Sequence, residues 1–141
     1  MAGNLHTLVR LNEWGVDERR RELGSVLKAL AELETGLERL RHEVTKEQNA
    51  AMAAPDTAGF FYAAYAQGVI VRRRQLNDGI AEMEKQVAAA RERLSEAYRE
   101  LKKYEVAQKA RDRREAIELA RREQGVLDEM GLQLFRMKQQ G

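Results

Sequence analysis

Between Leu23 and Val44 the apolar residues recur at alternating spacings of three and four: Leu23, Val26, Leu30, Leu33, Leu37, Leu40 and Val44. This is the a/d rhythm of a heptad seam, in which one narrow apolar stripe faces a partner helix. Val16 and Val9 extend it backwards, with polar interruptions at Arg19 and Asn12. A second run of the same kind comprises Leu76, Ile80, Met83, Val87, Ala90, Leu94, Ala97, Leu101 and Tyr104, and reaches back through Val69 and Ala66 to Tyr62. The chain's one proline, Pro55, stands between the two runs in Ala54-Pro55-Asp56-Thr57-Ala58. Proline disfavours helical geometry in the residue before it, and Asp56 or Thr57 can accept a backbone N–H to open a new helix. The pattern therefore predicts a helix over about 4–53, a turn at 54–57 and a second helix over about 58–137.

The two seams agree on how the chain folds back. In an antiparallel pair, facing residues have numbers with a constant sum. With that sum at 113, Val44 faces Val69, Leu37 faces Leu76, Leu33 faces Ile80, Leu30 faces Met83, Val26 faces Val87, Leu23 faces Ala90, Val16 faces Ala97 and Val9 faces Tyr104. Arg19 falls opposite Leu94 and Arg73 opposite Leu40; each can lay its aliphatic stem across the seam with its charge in water. The same sum centres the loop on residues 55–58. The expected fold is all-α, a single domain over 1–141: a long antiparallel two-helix coiled-coil hairpin with a first arm of roughly 70 Å at 1.5 Å per residue. Beyond Tyr104 the next seam positions are Gln108, Arg111, Glu115 and Glu118. The second helix is thus expected to overhang as a charged single helix supported by intrahelical ion pairs, with Gly125 and Gly131 fraying its end.

Composition supports a seam over a round core. Of the 141 residues, 34% are charged and only 6% aromatic, the balance of long helices and coiled coils. The 25 basic residues nearly cancel 23 acidic ones and alternate with them as on a solvated helical face. The pI near 9.0 is therefore poor support for nucleic-acid binding, which needs clustered cations. No segment approaches the roughly 18 apolar residues of a membrane span, and Met1 to Arg10 lack a secretory pattern. A cytoplasmic protein is expected.

Catalytic chemistry has little to work with. There is no cysteine, and the two histidines, His6 and His42, are far apart in sequence. His42-Glu43 is followed by Lys46 where a zinc-protease helix needs its second histidine. No glycine-rich phosphate loop is present. No enzyme activity, metal or cofactor is expected. Three features go beyond solvated helix faces. Phe60, Phe61, Tyr62 and Tyr65 gather half of the eight aromatics just after the turn, either as a plug closing the hairpin end or as an aromatic protein-binding patch. Leu11 and Trp14, off the seam, pack either on the second helix near Tyr104 and Val106 or on a partner. Lys109, Arg111, Arg113, Arg114, Arg121 and Arg122 interleave with acidic residues, either self-paired or as a docking surface.

The residues from the aromatic tip onward resemble the flagellar export protein FliJ family. The resemblance is carried by Phe61-Tyr62-Ala63-Ala64-Tyr65 leading into Val69-Ile70-Val71-Arg72-Arg73-Arg74-Gln75-Leu76. Arg91-Glu92-Arg93-Leu94-Ser95-Glu96-Ala97 and Lys103-Tyr104-Glu105 follow, then Glu123-Gln124-Gly125-Val126-Leu127-Asp128-Glu129. The terminal Glu-Gln and Leu-Asp-Glu elements weigh most, because no heptad demands them.

The resemblance implies a stalk-like component of the flagellar type III export apparatus, serving motility. It implies insertion into the hexameric ring of the export ATPase FliI, promotion of its assembly, contact with the export gate FlhA, and handling of export chaperones. On that basis the gate side is expected at Phe61, Tyr62, Tyr65, Val69 and Leu76, and the ATPase side at Arg113, Arg114, Arg121 and Arg122. The expected location is the cytoplasmic face of the inner membrane at the flagellar base, with membrane association through partners only. Because each helix satisfies the other within the chain, a monomer is expected. The alternatives are the equivalent stalk of a virulence-type secretion system and a coiled-coil adaptor or chaperone with no ATPase partner.

Overall fold

The structure, a computed structural model, describes the backbone of residues 2–53 and 55–140 and the side chains of 4–53 and 61–140. It contains two helices, α1 (Ala2–Ala53) and α2 (Pro55–Gln140), and no strand among the described residues. They pack against each other antiparallel as a helical hairpin whose second helix is the longer. Two boundaries differ from the sequence expectation. Residues 55–57 are helical rather than part of a turn. Proline is well placed at a first helical position, since its φ is already helical and its missing N–H would have had no intrahelical partner. Ala54, the rest of the expected turn, lies outside the described residues. At the other end α2 continues to Gln140 without a break at Gly125 or Gly131. A mid-helix glycine costs about 1 kcal/mol relative to alanine, but side-chain pairs hold the turns around it. Gln124 donates to the Asp128 carboxylate at 3.0 Å across Gly125, and Arg122 donates to Glu118 at 2.7 Å one turn before.

The packing falls into two units. In the first, residues 14–98, Val16, Leu40, Val69, Val87 and Ala90 are buried, and the remaining seam residues are half-buried. This grading is what two helices alone can achieve. Most of the buried residues are valine or alanine, whose short side chains sit close to the helix axes, though Val26, Val44, Ala66 and Ala97 stay half-buried; most leucine and methionine ends reach the flanks of the seam and keep one edge in water. The register is close to that expected. A β-carbon added at Gly79 would stand 3.3 Å from Leu33 Cδ1, and one at Gly36 would stand 3.4 Å from Leu76 Cδ2. In both pairs the numbers add to 112, so a glycine on each helix faces a leucine on the other. Polar contacts tie the flanks at the same register. Glu22 accepts from Arg19 on its own helix at 3.0 Å and from Arg93 on the other at 2.5 Å, and Arg72 lies 4.0 Å from Glu43. Arg20 donates to the Tyr98 hydroxyl and lies over its ring, 5.2 Å from the centroid.

The second unit comprises the chain up to Glu13 and from Arg99 onward. Val9 is buried there, Leu5, Leu8, Leu101 and Tyr104 are half-buried, and the Gln108 amide meets the His6 ring at 2.7 Å. From Asp112 to Gln140 every residue is exposed, the single-helix extension the failing heptad predicts.

Candidate partner-binding surfaces

The tip region lies in the first unit. Tyr62 and Tyr65, one turn apart less a residue, bring their rings to a centroid distance of 6.1 Å at 45° and line a shallow groove with Phe61, Glu47, Ala50 and Ala51. The five residues expected to meet the gate divide by burial. Val69 is buried in the seam, while Tyr62, Tyr65 and Leu76 are half-buried. Phe61 alone is well exposed, at 71%. Phe60 lies outside the described side chains. The Tyr65 hydroxyl is covered and finds no hydrogen-bond partner among the described residues. Burial, reinforced by the charges of Glu43 and Glu47, pushes its pKa above the ordinary phenol value, so the group stays a protonated donor. The tyrosines close the seam and the phenylalanine faces outward.

Sequence reasoning missed three further exposed apolar residues in the same charge-poor stretch as Phe61. Met52 is 80% exposed, and Ile70 and Val71 are each more than half exposed. Their signal was available, since all three lie off the heptad positions in a stretch almost free of charge. Off the seam, Leu11 and Trp14 are likewise exposed, as is Val106, so none of them fills a core.

In the second unit Arg113, Arg114, Arg121 and Arg122 are all exposed on the extension. Arg122 is engaged with Glu118 at 2.7 Å, and Arg111 with Glu115 at 3.3 Å. These are solvent-screened pairs one turn apart, worth a few tenths of a kcal/mol each. The extension also carries an apolar face that the charge pattern had hidden. Leu127, Met130, Leu134 and Met137 follow one another at spacings of three and four, Leu119 and Val126 continue the stripe towards α1, and all six are exposed. Spacing of this kind puts them on one side of a helix. Leu119, Val126, Met130 and Met137 lie one residue, and Leu127 and Leu134 two residues, from the extrapolated seam positions, so extrapolation through Gln108, Arg111, Glu115 and Glu118 misses them.

The described residues hold no group of three or more His, Asp or Glu side chains placed to bind a metal ion, and no helix among them is long and apolar enough to cross a membrane. What the geometry leaves exposed is the apolar side chain of Phe61 and the extension of α2. Comparison with known proteins finds no match among curated proteins and none among solved structures. Against protein families, residues 1–140 match the one described as "Flagellar FliJ protein". With essentially the whole chain covered and the helical hairpin in place, the protein belongs to the flagellar FliJ family.

Proposed function

We propose that this protein is a stalk of the flagellar export apparatus, binding the export ATPase FliI, promoting its ring assembly and activity, and linking it to the export gate FlhA and to export chaperones. Membership of the flagellar FliJ family supports a role in flagellar export and protein transport, and we read that role as non-enzymatic. The observation that best supports a stalk role is the extension of α2: a helix exposed on every side from Asp112 to Gln140, bearing both arginines and an apolar stripe, has no packing partner among the described residues of its unit. A ring lined by acidic and apolar groups would engage both. The gate is assigned to the tip, where Phe61 is the exposed anchor and Tyr62, Tyr65, Val69 and Leu76 hold the helices beneath it. In this reading the protein works at the cytoplasmic face of the inner membrane. Membership of a flagellar family favours this over the virulence-type stalk.

The test is ATP hydrolysis and hexamer formation by the cognate ATPase with and without this protein. Stimulation together with more ring assembly is expected, and both should fall when Arg113, Arg114, Arg121 and Arg122 are replaced by glutamine. A folded, helical protein that neither binds nor stimulates the ATPase would sink the stalk reading and leave a coiled-coil adaptor.

A further inference from the structure

From Asp112 to Gln140 every residue of the α2 extension is exposed, but its sides are not alike. Leu101, Leu119 and Met137 follow one another at intervals of eighteen residues, about five turns at 3.6 residues per turn, so they fall on one line along the helix. Leu101 is half-buried in the seam of its unit, whereas Leu119 and Met137 are 56% and 69% exposed. The apolar stripe thus continues the seam side of α2 beyond the residues that α1 covers.

The two flanks of the stripe differ in chemistry. Successive helical residues project about 100° apart. On that spacing Ala120, Leu127 and Leu134 fall on one flank, and Glu115, Arg122, Glu129 and Arg136 on the other. The charged flank changes sign at every seventh residue. A parallel copy of the helix would set this flank against its partner's apolar flank, because e and g positions face each other across parallel helices. An antiparallel copy sets like flanks together, aliphatic on aliphatic and charged on charged. Read in reverse, the alternation of signs becomes its own complement. One register brings Arg122 against Glu129 and Glu115 against Arg136, each pair made twice by the two-fold symmetry. A shift by one heptad instead sets Arg122 against Arg136 and Glu129 against its own copy. Glu129 and Arg136 make no ion pair among the described residues. Arg122 is held by Glu118 at 2.7 Å, and its guanidinium has further N–H donors to give. In the favoured register facing stripe residues have numbers with a sum of 249, so Leu119 meets Met130, and Val126 meets Glu123, the one misfit.

We propose that a second copy of this chain docks on the extension, the two α2 ends pairing antiparallel over residues 112–137. The expectation of a monomer rested on a seam satisfied within the chain, and the extension has no such seam. The contact is about 39 Å long on a helix roughly 10 Å across. Each copy then covers roughly 400 Å², about half of what a stable interface takes from each partner, so the dimer is weak and reversible. It hides the stripe and Arg122. Resting on the stalk reading above, this makes self-pairing and ATPase binding mutually exclusive, and the dimer an idle form of the stalk.

The experiment is sedimentation of the full chain over a range of concentrations. The average mass should rise from the 16.2 kDa of one chain towards twice that value. Arg122→Glu and Glu129→Arg should each weaken association about tenfold, since two pairs turn from attraction to repulsion. The two changes in one chain should restore it. Glu123→Leu should tighten it. All three positions are exposed, so helicity is unchanged. The chain has no cysteine, which gives a second measurement: Leu119→Cys chains mixed with Met130→Cys chains should form disulfide-linked dimers with each other, and neither should do so alone. A parent chain of constant mass overturns the proposal. So does a charge swap that fails to restore association, or crosslinking of each cysteine variant with itself. Adding the cognate ATPase to the parent chain should draw single copies off the dimer; a particle holding the intact dimer would overturn the exclusion. An ATPase that ignores the chain while the dimer persists would sink the stalk reading alone, because self-association is measured without it.

Discussion

Replacing Gly79 by alanine should gain almost nothing, although the same change at Gly24 should stabilise the hairpin. Both glycines lie inside long helices, where alanine is favoured by about 1 kcal/mol because glycine loses more backbone freedom on folding. At Gly24 the added β-carbon meets nothing within 4 Å, so the gain is expressed in full. For a chain of this size it amounts to a rise in melting temperature of roughly 3–4 °C. At Gly79 the β-carbon stands 3.3 Å from Leu33 Cδ1 and 3.6 Å from Cδ2. Leu33 must swing aside, and an off-rotamer side chain costs about 0.5–1.5 kcal/mol, which offsets the gain. Gly36, at 3.4 Å from Leu76 Cδ2, should fall between the two. The assay is thermal and denaturant unfolding followed by circular dichroism. A second arm places Gly79→Ala in a Leu33→Ala background, where the full gain should return; this double-mutant cycle isolates the contact. Equal stabilisation at Gly79 and Gly24 in the parent background would refute the close approach of the helices at this level, and with it the register.

Other substitutions probe the seam and its flanks. Leu40, 2% exposed, should cost about 2–3 kcal/mol on replacement by alanine, the lower part of the range for buried leucine because a narrow seam can partly close; denaturant unfolding reads this directly. Glu22 is held below its ordinary value of 4.5 by the Arg19 guanidinium, and also by that of Arg93. Its stabilising contribution is therefore present above pH 4.5 and lost as pH falls through the lowered value of the folded chain. A Glu22→Gln variant should be less stable than the parent at neutral pH, and the gap should close in acid in a melting-temperature series. Phe61→Ala should leave the melting temperature within the small range of surface changes, about 0.5 kcal/mol, while weakening capture by the gate; Val69→Ala, at a buried position, should do the reverse and lower the melting temperature. Tyr65→Phe should raise it, because the change removes a covered hydroxyl with no partner among the described residues.

Most of the fold was legible in the order of residues. Two heptad runs with one breaker between them determine two helices, their antiparallel pairing and, to within a residue, their register, because the a/d period leaves few ways to cover both stripes at once. The failing heptad after Tyr104 likewise determined where the second helix loses its partner. The sequence was less informative where no period acts. It could not show that Pro55 opens α2 rather than belonging to a turn, since proline suits both. It could not show that the helix survives Gly125, where the Gln124–Asp128 pair compensates a local weakness. The candidate surfaces divide in the same way. Phe61 was legible as an aromatic off the seam, but its separation from buried Val69 and half-buried Tyr65 is a matter of which edge of a two-helix seam each ring can reach. That Met52, Ile70 and Val71 stay exposed was decided only by the packing of α1 on α2, and the stripe from Leu119 to Met137 became a surface only when none of the described residues of its unit was found to cover it. Periodicity along one chain decides which residues turn towards a partner helix; how much of each side chain that partner covers depends on the distance and angle between the two, and is decided only when they are packed.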